Sequence, residues 1–508
     1  MNKENKEKVK SNVCLICNRP THKKSKYCIF HAKPEEKTKE EFIEKLKEYI
    51  NEIKEKDKDY NFKDFIFVGD IIDFKKEFDI NYFLNVNFEG AIFQGFTNFE
   101  RIIFQGYNNF NNAKFFYGAN FKSTTFKGDL FLTNVTFHSV VTFEQAIFLK
   151  NAYFGETIFL DDATFNNMTV LEANFTKTTF KKFALFIKTN FRRQALFWYA
   201  RFEGITYFNE ATFPSIVNFT EASFKVVTFE KAIFKNGAIF SSTIFGVTNF
   251  EETNFLGNIF FNDATFRGIT KFILIGEQNN LDFTYSKFNS GISVIIEIRK
   301  GEINFKNAIL ENISLNFKIE RDVLVNFERA VLKNTQLKRK DIEFNIIQER
   351  KNKFSEAKEI YLTLKNNFHS TGRYDNESWA FKKEKDMERK SYSHFKTFHK
   401  WLWSCFLNGI FGYGEQPGKV IISAISIILI FTFLFMSPGI SGTGIGGSIS
   451  KNFLDCVYFS VVTFTTLGYG DFHPLEGWGR IFAGTEAFIG ALMMALFVYT
   501  FARRTGGR

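Results

Sequence analysis

The chain has 508 residues, a net charge of +11 and 70 phenylalanines, an aromatic content far above ordinary globular usage. That length calls for several domains. The basic excess is spread along the chain with no Arg-rich stripe or recognition motif, which argues against nucleic acid and suits a protein held against an anionic cytoplasmic leaflet.

The polar opening carries no secretory signal pattern. Five cysteines, three of them clustered near the N-terminus, point to metal rather than disulfides and to a reducing compartment. Cys14, Cys17, Cys28 and His31 follow the pattern C-x2-C-x10-C-x2-H. Each pair can give two ligands to one Zn²⁺, and thiolates with an imidazole make a common structural set. His22 is the alternative fourth ligand. So short a segment, 1–35, has no core of its own, and the metal would supply its fold. Residues 36–60 follow as a charged helix with one apolar stripe, Phe42, Leu46, Tyr49, Ile50 and Ile53, suited to capping a neighbour.

Residues 61–337 are a repeat. Phenylalanine recurs at 88, 93, 99, 104, 110, 115, 121 and 126, in steps of five and six, and the pattern resumes downstream. A small residue stands two positions before many of them, as at Ala91, Ala113, Ala119, Ala146 and Ala211. Positions two apart in a strand face one side, so each short strand points one small and one large residue inward and then turns a corner. These residues resemble the pentapeptide-repeat family, whose Ala-x-Leu/Phe-x-x units imply a four-sided right-handed β-helix. The sixth residue at many corners departs from the family pattern and puts the square cross-section in question. About 22 residues per coil predicts roughly a dozen coils, some 55 Å long at strand spacing. The phenylalanines are its core. The family's best-known role, mimicry of DNA by an acidic surface, is not supported here. Residues 81–338 hold 26 Lys and Arg against 23 Asp and Glu, a net of +3, which suits a scaffold or a docking surface for an unknown cytoplasmic ligand or partner.

Residues 338–410 read as helical and charged, with Phe354, Tyr361, Leu364 and Phe368 as one stripe, a break at Ser370-Thr371-Gly372, and a second helix through Trp379, Phe381 and Met387. Lys396, Lys400, Trp401 and Trp403 suggest a segment lying at the membrane interface. No catalytic constellation stands out, and the chain is not read as an enzyme.

Residues 411–508 hold two apolar stretches, 420–436 and 481–501, on either side of a third apolar segment that ends in Thr465-Thr466-Leu467-Gly468-Tyr469-Gly470-Asp471. Basic residues cluster before the first stretch (Lys396, Lys400, Lys419) and after the second (Arg503, Arg504, Arg508), so both termini are expected in the cytoplasm of a cell-membrane protein. The motif resembles the selectivity filter of the potassium channel family, usually Thr-Val-Gly-Tyr-Gly-Asp, with Leu467 in place of valine. The resemblance implies a homotetramer of two-helix pores in a lipid bilayer and K⁺ as the permeant ion. The carbonyls of Thr466, Leu467, Gly468, Tyr469 and Gly470 would line the filter, with Thr465 and Asp471 in support. Glu486, inside the second stretch, is costly in a membrane unless buried in protein, and is expected behind the pore helix as a structural partner or filter-tuning group. Gly490, 19 residues after Asp471, is similar to the family's hinge glycine, or else a packing glycine between membrane helices.

The expected fold class is therefore multidomain: a right-handed β-helix, an α-helical linker and an α-helical two-helix pore. The rival reading is a membrane-anchored pentapeptide-repeat scaffold with a silent pore.

Overall fold

A computed structural model describes residues 13–56, 58–276, 279–392, 397–442 and 449–505. Lys396 and Arg508, part of the basic flanks, lie outside the described residues. The chain divides into two compact units, residues 1–347 and 348–508.

The first unit is a parallel β-solenoid of about 12 turns. Four short strands make one coil, and each pairs in parallel with its counterpart in the next. Phe93 stands over Phe115, Phe115 over Phe137 and Phe137 over Phe159, a step of 22 residues. The other three ladders run through Phe96–Asn98, Ile103–Phe104 and Asn108–Asn109. The four-sided section is thus retained, and the uneven spacing of the phenylalanines has a local cause. Where the step is five, a tight turn closes through a backbone bond, such as Ile102 N–H to Phe99 O at 3.2 Å or Ala113 N–H to Phe110 O at 3.0 Å. Its third residue sits in the left-handed region, Arg101 at φ 58° and Asn112 at φ 63°. Where the step is six, as from Phe104 to Phe110, the extra residue rounds the corner with no positive φ. A non-glycine residue in that region costs about 1–2 kcal/mol. The ladder offsets it, since the same residues donate to the next coil at 3.0 Å, Arg101 to Lys122 O and Asn112 to Thr133 O.

Inside, phenylalanines stack in columns. Successive ring centroids from Phe93 through Phe115, Phe137 and Phe159 lie 4.4, 4.8 and 5.2 Å apart and nearly parallel. That is the strand spacing itself, so aromatic stacking and ladder bonding reinforce one another. In a neighbouring column Phe250 is followed by Phe272, Ile296 and Phe317, which explains why the repeat fades in sequence while the coils persist.

Both ends are closed. At the N-terminal end, helix α1 (Lys39–Glu55) starts in a capping box between Thr38 and Glu41 and buries Phe42, Leu46, Ile50 and Ile53. Phe42 meets Phe67 edge-on, and Phe30 stacks on Phe65 at 4.6 Å. At the other end, residues after Lys338 are not yet helical as expected. Leu337, Ile342 and Ile346 are buried, and Ile346 bridges to Val325, so this segment plugs the last coil.

The second unit opens with helices α2 (Phe354–Ser370) and α3 (Tyr374–Ser391), a hairpin around Ile360, Tyr361, Leu364, Phe368, Trp379 and Met387. Ion pairs Lys365–Glu384 (2.8 Å) and Lys383–Glu349 (2.7 Å) flank this core. Helix α4 (Phe398–Phe411) leaves Phe398, Leu402, Trp403 and Phe406 exposed, as an interfacial helix requires. Helix α5 (Pro417–Met436) begins earlier than its charge-free stretch, and its 20 residues reach the ~30 Å of a bilayer core. Helix α6 (Phe453–Phe464) is short, and α7 (Trp478–Thr505) is long. Phe431 and Phe435 of α5 pack on Cys456 and Phe459 of α6, and Val420 packs with Phe464 and Met493. A small antiparallel sheet of Ile440–Gly442, Ile449–Ser450 and Phe472–Pro474 joins the segments before and after α6. Nothing in the sequence periodicity signals it.

Candidate functional site: the pore loop and the N-terminal metal cluster

Helix α6 is capped by Asn452, whose Oδ1 accepts the Leu454 N–H at 3.3 Å, and ends at Thr465. Its 12 residues span ~18 Å, and its C-terminal end carries the negative end of the helix dipole toward Thr466. The loop that follows alternates in backbone conformation. Thr466, Gly468 and Gly470 have φ of 56°, 56° and 77°, whereas Leu467 and Tyr469 between them do not enter the left-handed region. Alternation of this kind turns successive carbonyls toward one side, where an ordinary strand would alternate them. Glycine meets the demand at two positions without strain. Thr466, β-branched, meets it against its preference, which marks the position as constrained.

The loop forms only one wall. A Cβ placed on Gly468 or Gly470 meets no atom within 4 Å, and Leu467 and Tyr469 are 58% and 69% exposed. The Tyr469 ring therefore stands largely open to the side of the loop. Asp471 lies behind the loop, hydrogen-bonded with Tyr458 of α6.

Glu486 of α7 is fully buried against α6, where Ser460 hydrogen-bonds its Oε1. Ser460 Oγ also lies 2.9 Å from the Ile428 carbonyl of α5, so one serine ties three helices together directly behind the loop. Ser460 escaped the sequence reading because a serine within an apolar helix carries no pattern of its own. Gly490 is a close-approach position. A Cβ there would lie 2.0 Å from the carbonyl oxygen of Phe464, two residues before Thr466. That contact favours the packing role. At the far end of α7, Arg503 pairs with Glu415 at 2.7 Å, and Ser378 of α3 donates to the other oxygen of Glu415 at 2.6 Å. The Arg503 guanidinium also lies over the Phe381 ring. No repeat or motif in the sequence signals this link between α7 and the α2–α3 hairpin.

In the first unit, Cys14, Cys17, Cys28 and His31 converge, their ligand atoms all within 4.8 Å of one another. His31 Nδ1 lies 3.6, 3.3 and 3.1 Å from the sulfurs of Cys14, Cys17 and Cys28. Four ligands at ~2.0–2.3 Å from one tetrahedral metal stand ~3.3–3.8 Å apart, so the donor set and spacing fit Zn²⁺. His31 Nε2 lies 3.2 Å from the Lys63 carbonyl, a bond that places the ring proton there and leaves Nδ1 free to ligate. Burial lowers the His31 pKa, favouring the neutral ring, and pushes the Cys28 thiol up to about 12. A metal must therefore displace a proton from Cys28. His22 stands apart, its Nε2 3.7 Å from Glu41. Lys37 holds the segment to the first coil by donating to Ile29 O (2.8 Å) and Ile66 O (2.6 Å).

The family described as "Ion channel" matches residues 418–506, and "Pentapeptide repeats (9 copies)" matches residues 121–169 and 208–254. The chain is similar to "Two pore potassium channel a" of Oryza sativa subsp. japonica, 43% identical over 54 residues, which is 11% of this chain and 16% of that protein. No solved structure matches. Two apolar helices long enough to cross a membrane lie within or at the edge of the channel match. The chain therefore carries an ion channel domain at residues 418–506, joined in one polypeptide to a solenoid of pentapeptide repeats.

Proposed function

We propose that this protein is a potassium-selective channel in which four copies of the chain surround one pore, and that its solenoid regulates that pore from the cytoplasm. The observation that carries the reading is the alternating backbone of Thr466, Leu467, Gly468, Tyr469 and Gly470. Carbonyls turned to one side can replace the hydration shell of K⁺, but a single strand supplies only one wall of such a cage. Four strands about an axis complete it, and the open face beside Gly468 and Gly470 is where the ion path runs. Tyr469, largely exposed in the single chain, then packs on a neighbouring copy. Asp471 and Thr465 hold the two ends of the filter, while Glu486 and Ser460 fix α6 from behind. Gly490 sets how closely α7 approaches the base of the filter. Its service as a bending point rests on the family resemblance alone.

Cys14, Cys17, Cys28 and His31 hold a structural Zn²⁺ in this reading, with no open position for chemistry. The metal fastens the N-terminal segment over the first coil. Both termini are cytoplasmic, in keeping with cysteine ligands and the basic flanks of α5 and α7. Purified protein in lipid vesicles tests the reading. Rubidium uptake driven by an outward K⁺ gradient, and suppressed when Na⁺ replaces K⁺, is expected, and vesicles that take up neither ion would favour a scaffold.

A further inference from the structure

The last coils of the solenoid border an open cavity that lies outside the channel domain. Strands Thr270–Leu274, Ser293–Ile298 and Ser314–Ile319 stack in register on one side of the rod. The next coil begins to cover them: Gln336 bridges to Ser314, and Leu315 N–H donates to Gln336 O at 3.0 Å. The chain then leaves the face in a 3₁₀ turn, Arg339–Asp341. The rest of that strand position is vacated, and a cavity of about 650 Å³ lies there. Ser314 N–H points back to Ile292 O and Leu315 N–H points forward, so by alternation the N–H groups of Phe317 and Ile319 face the vacated position.

Four lysines converge on the cavity. Lys271 and Lys318 rise from the outward face of the stacked strands, and Lys338 and Lys340 stand on the rim formed by the departing chain. Lys318 is paired with Glu297 at 3.1 Å, and Asp341 is the carboxylate on the lining. Lys271, Lys338 and Lys340 have no carboxylate at ion-pair distance among the described residues. Ile273 and Ile295 add apolar surface between the charges, beside the amide of Asn316. A surplus of two positive charges, forward-facing N–H groups and this mixed floor together describe a receptor for a dianion with a partly apolar body. The volume lies within the range of small-molecule sites.

We infer that this cavity binds a small organic phosphate of nucleotide size, its phosphate held by Lys271, Lys338 and Lys340. The inference gives the proposed regulation by the solenoid a ligand class. Binding is read without any current, so its failure would leave the channel reading standing, and failure of conduction would leave the site standing. The test is calorimetric titration of purified full-length protein with ATP, AMP, pyrophosphate and, as the unphosphorylated comparison, adenosine. Saturable binding of at least one phosphate and none of adenosine is expected. Affinity should fall about tenfold or more, 1.4 kcal/mol per factor of ten, in Lys338→Ala with Lys340→Ala and in Lys271→Ala. These lysines make no ion pair among the described residues and lie outside the core, so folding is not at stake, and Lys225→Ala, an exposed lysine elsewhere on the rod, should bind as the unaltered protein does. The inference is overturned if none of the three phosphates binds at millimolar concentration, or if the lysine variants bind as tightly. Capture of phosphatidylglycerol vesicles or an acidic peptide without phosphate binding would overturn it equally.

Discussion

At the scale of single residues, the account rests on backbone conformation more than on side-chain chemistry. Gly468 and Gly470 hold positive φ with open space beside them, so a Cβ there meets no clash and acts through the backbone alone. Gly468→Ala and Gly470→Ala are each expected to leave an assembled protein with little or no preference for K⁺ over Na⁺, measured as relative ion uptake into vesicles. Retained selectivity in both would remove the loop from the account. The motif itself was legible in the sequence because only a few residue types tolerate its geometry. Its supports were legible in part. Glu486 drew notice as a carboxylate in an apolar stretch, yet Ser460 and the Ile428 carbonyl became visible only once three helices were packed. Gly490 could be read as hinge or packing point until the Phe464 carbonyl was placed against it.

Among the elements, the N-terminal segment and α1 form a cap, and the proposed reading makes its fold depend on metal. Purified protein is expected to carry about one zinc per chain, lost on Cys14→Ser with Cys17→Ser, as elemental analysis would read. Because burial pushes the Cys28 thiol up to about 12, protons compete with the metal throughout the neutral range. Zinc affinity should therefore rise with pH and fall as the solution is acidified, the sense expected when binding releases a proton. A chelator competition series across pH checks the sign. At the other end of the chain, Glu415 links α3 to α7 through Ser378 and Arg503. Glu415 is nearly fully buried, and breaking such a pair typically costs about 3–5 kcal/mol. Glu415→Lys is expected to shift open probability in single-channel records, and Glu415→Arg with Arg503→Glu to recover part of the shift. Unchanged gating in the single variant would show that the pair only decorates the helix end. This link was invisible in sequence because its partners are far apart in the chain and none sits in a repeat or motif. The solenoid was the reverse case: its inward pattern recurs every five or six residues, so the coils, their number and their core could be read directly. What the spacing could not reveal was that five- and six-residue steps are two kinds of corner in one four-sided coil.

For the whole molecule, the solenoid is a stiff body whose stacked aromatic columns resist bending, and it joins the channel-bearing unit directly in the chain at Ile347–Gln348. A partner or ligand on such a body can bias the pore only by preferring one of its states, and a tenfold bias needs about 1.4 kcal/mol. Removal of residues 1–347, which takes the plug with the coils, should leave a K⁺-selective channel of altered open probability. If the truncated protein gates like the full chain under every stimulus that moves the latter, the solenoid is a tether. All of this depends on the pore being one that selects K⁺. The most direct measurement is the reversal potential of purified protein in a planar bilayer, with K⁺ on one side and Na⁺ on the other. The account predicts a potential close to that of a K⁺ electrode, and a potential near zero, or no conductance, would contradict it.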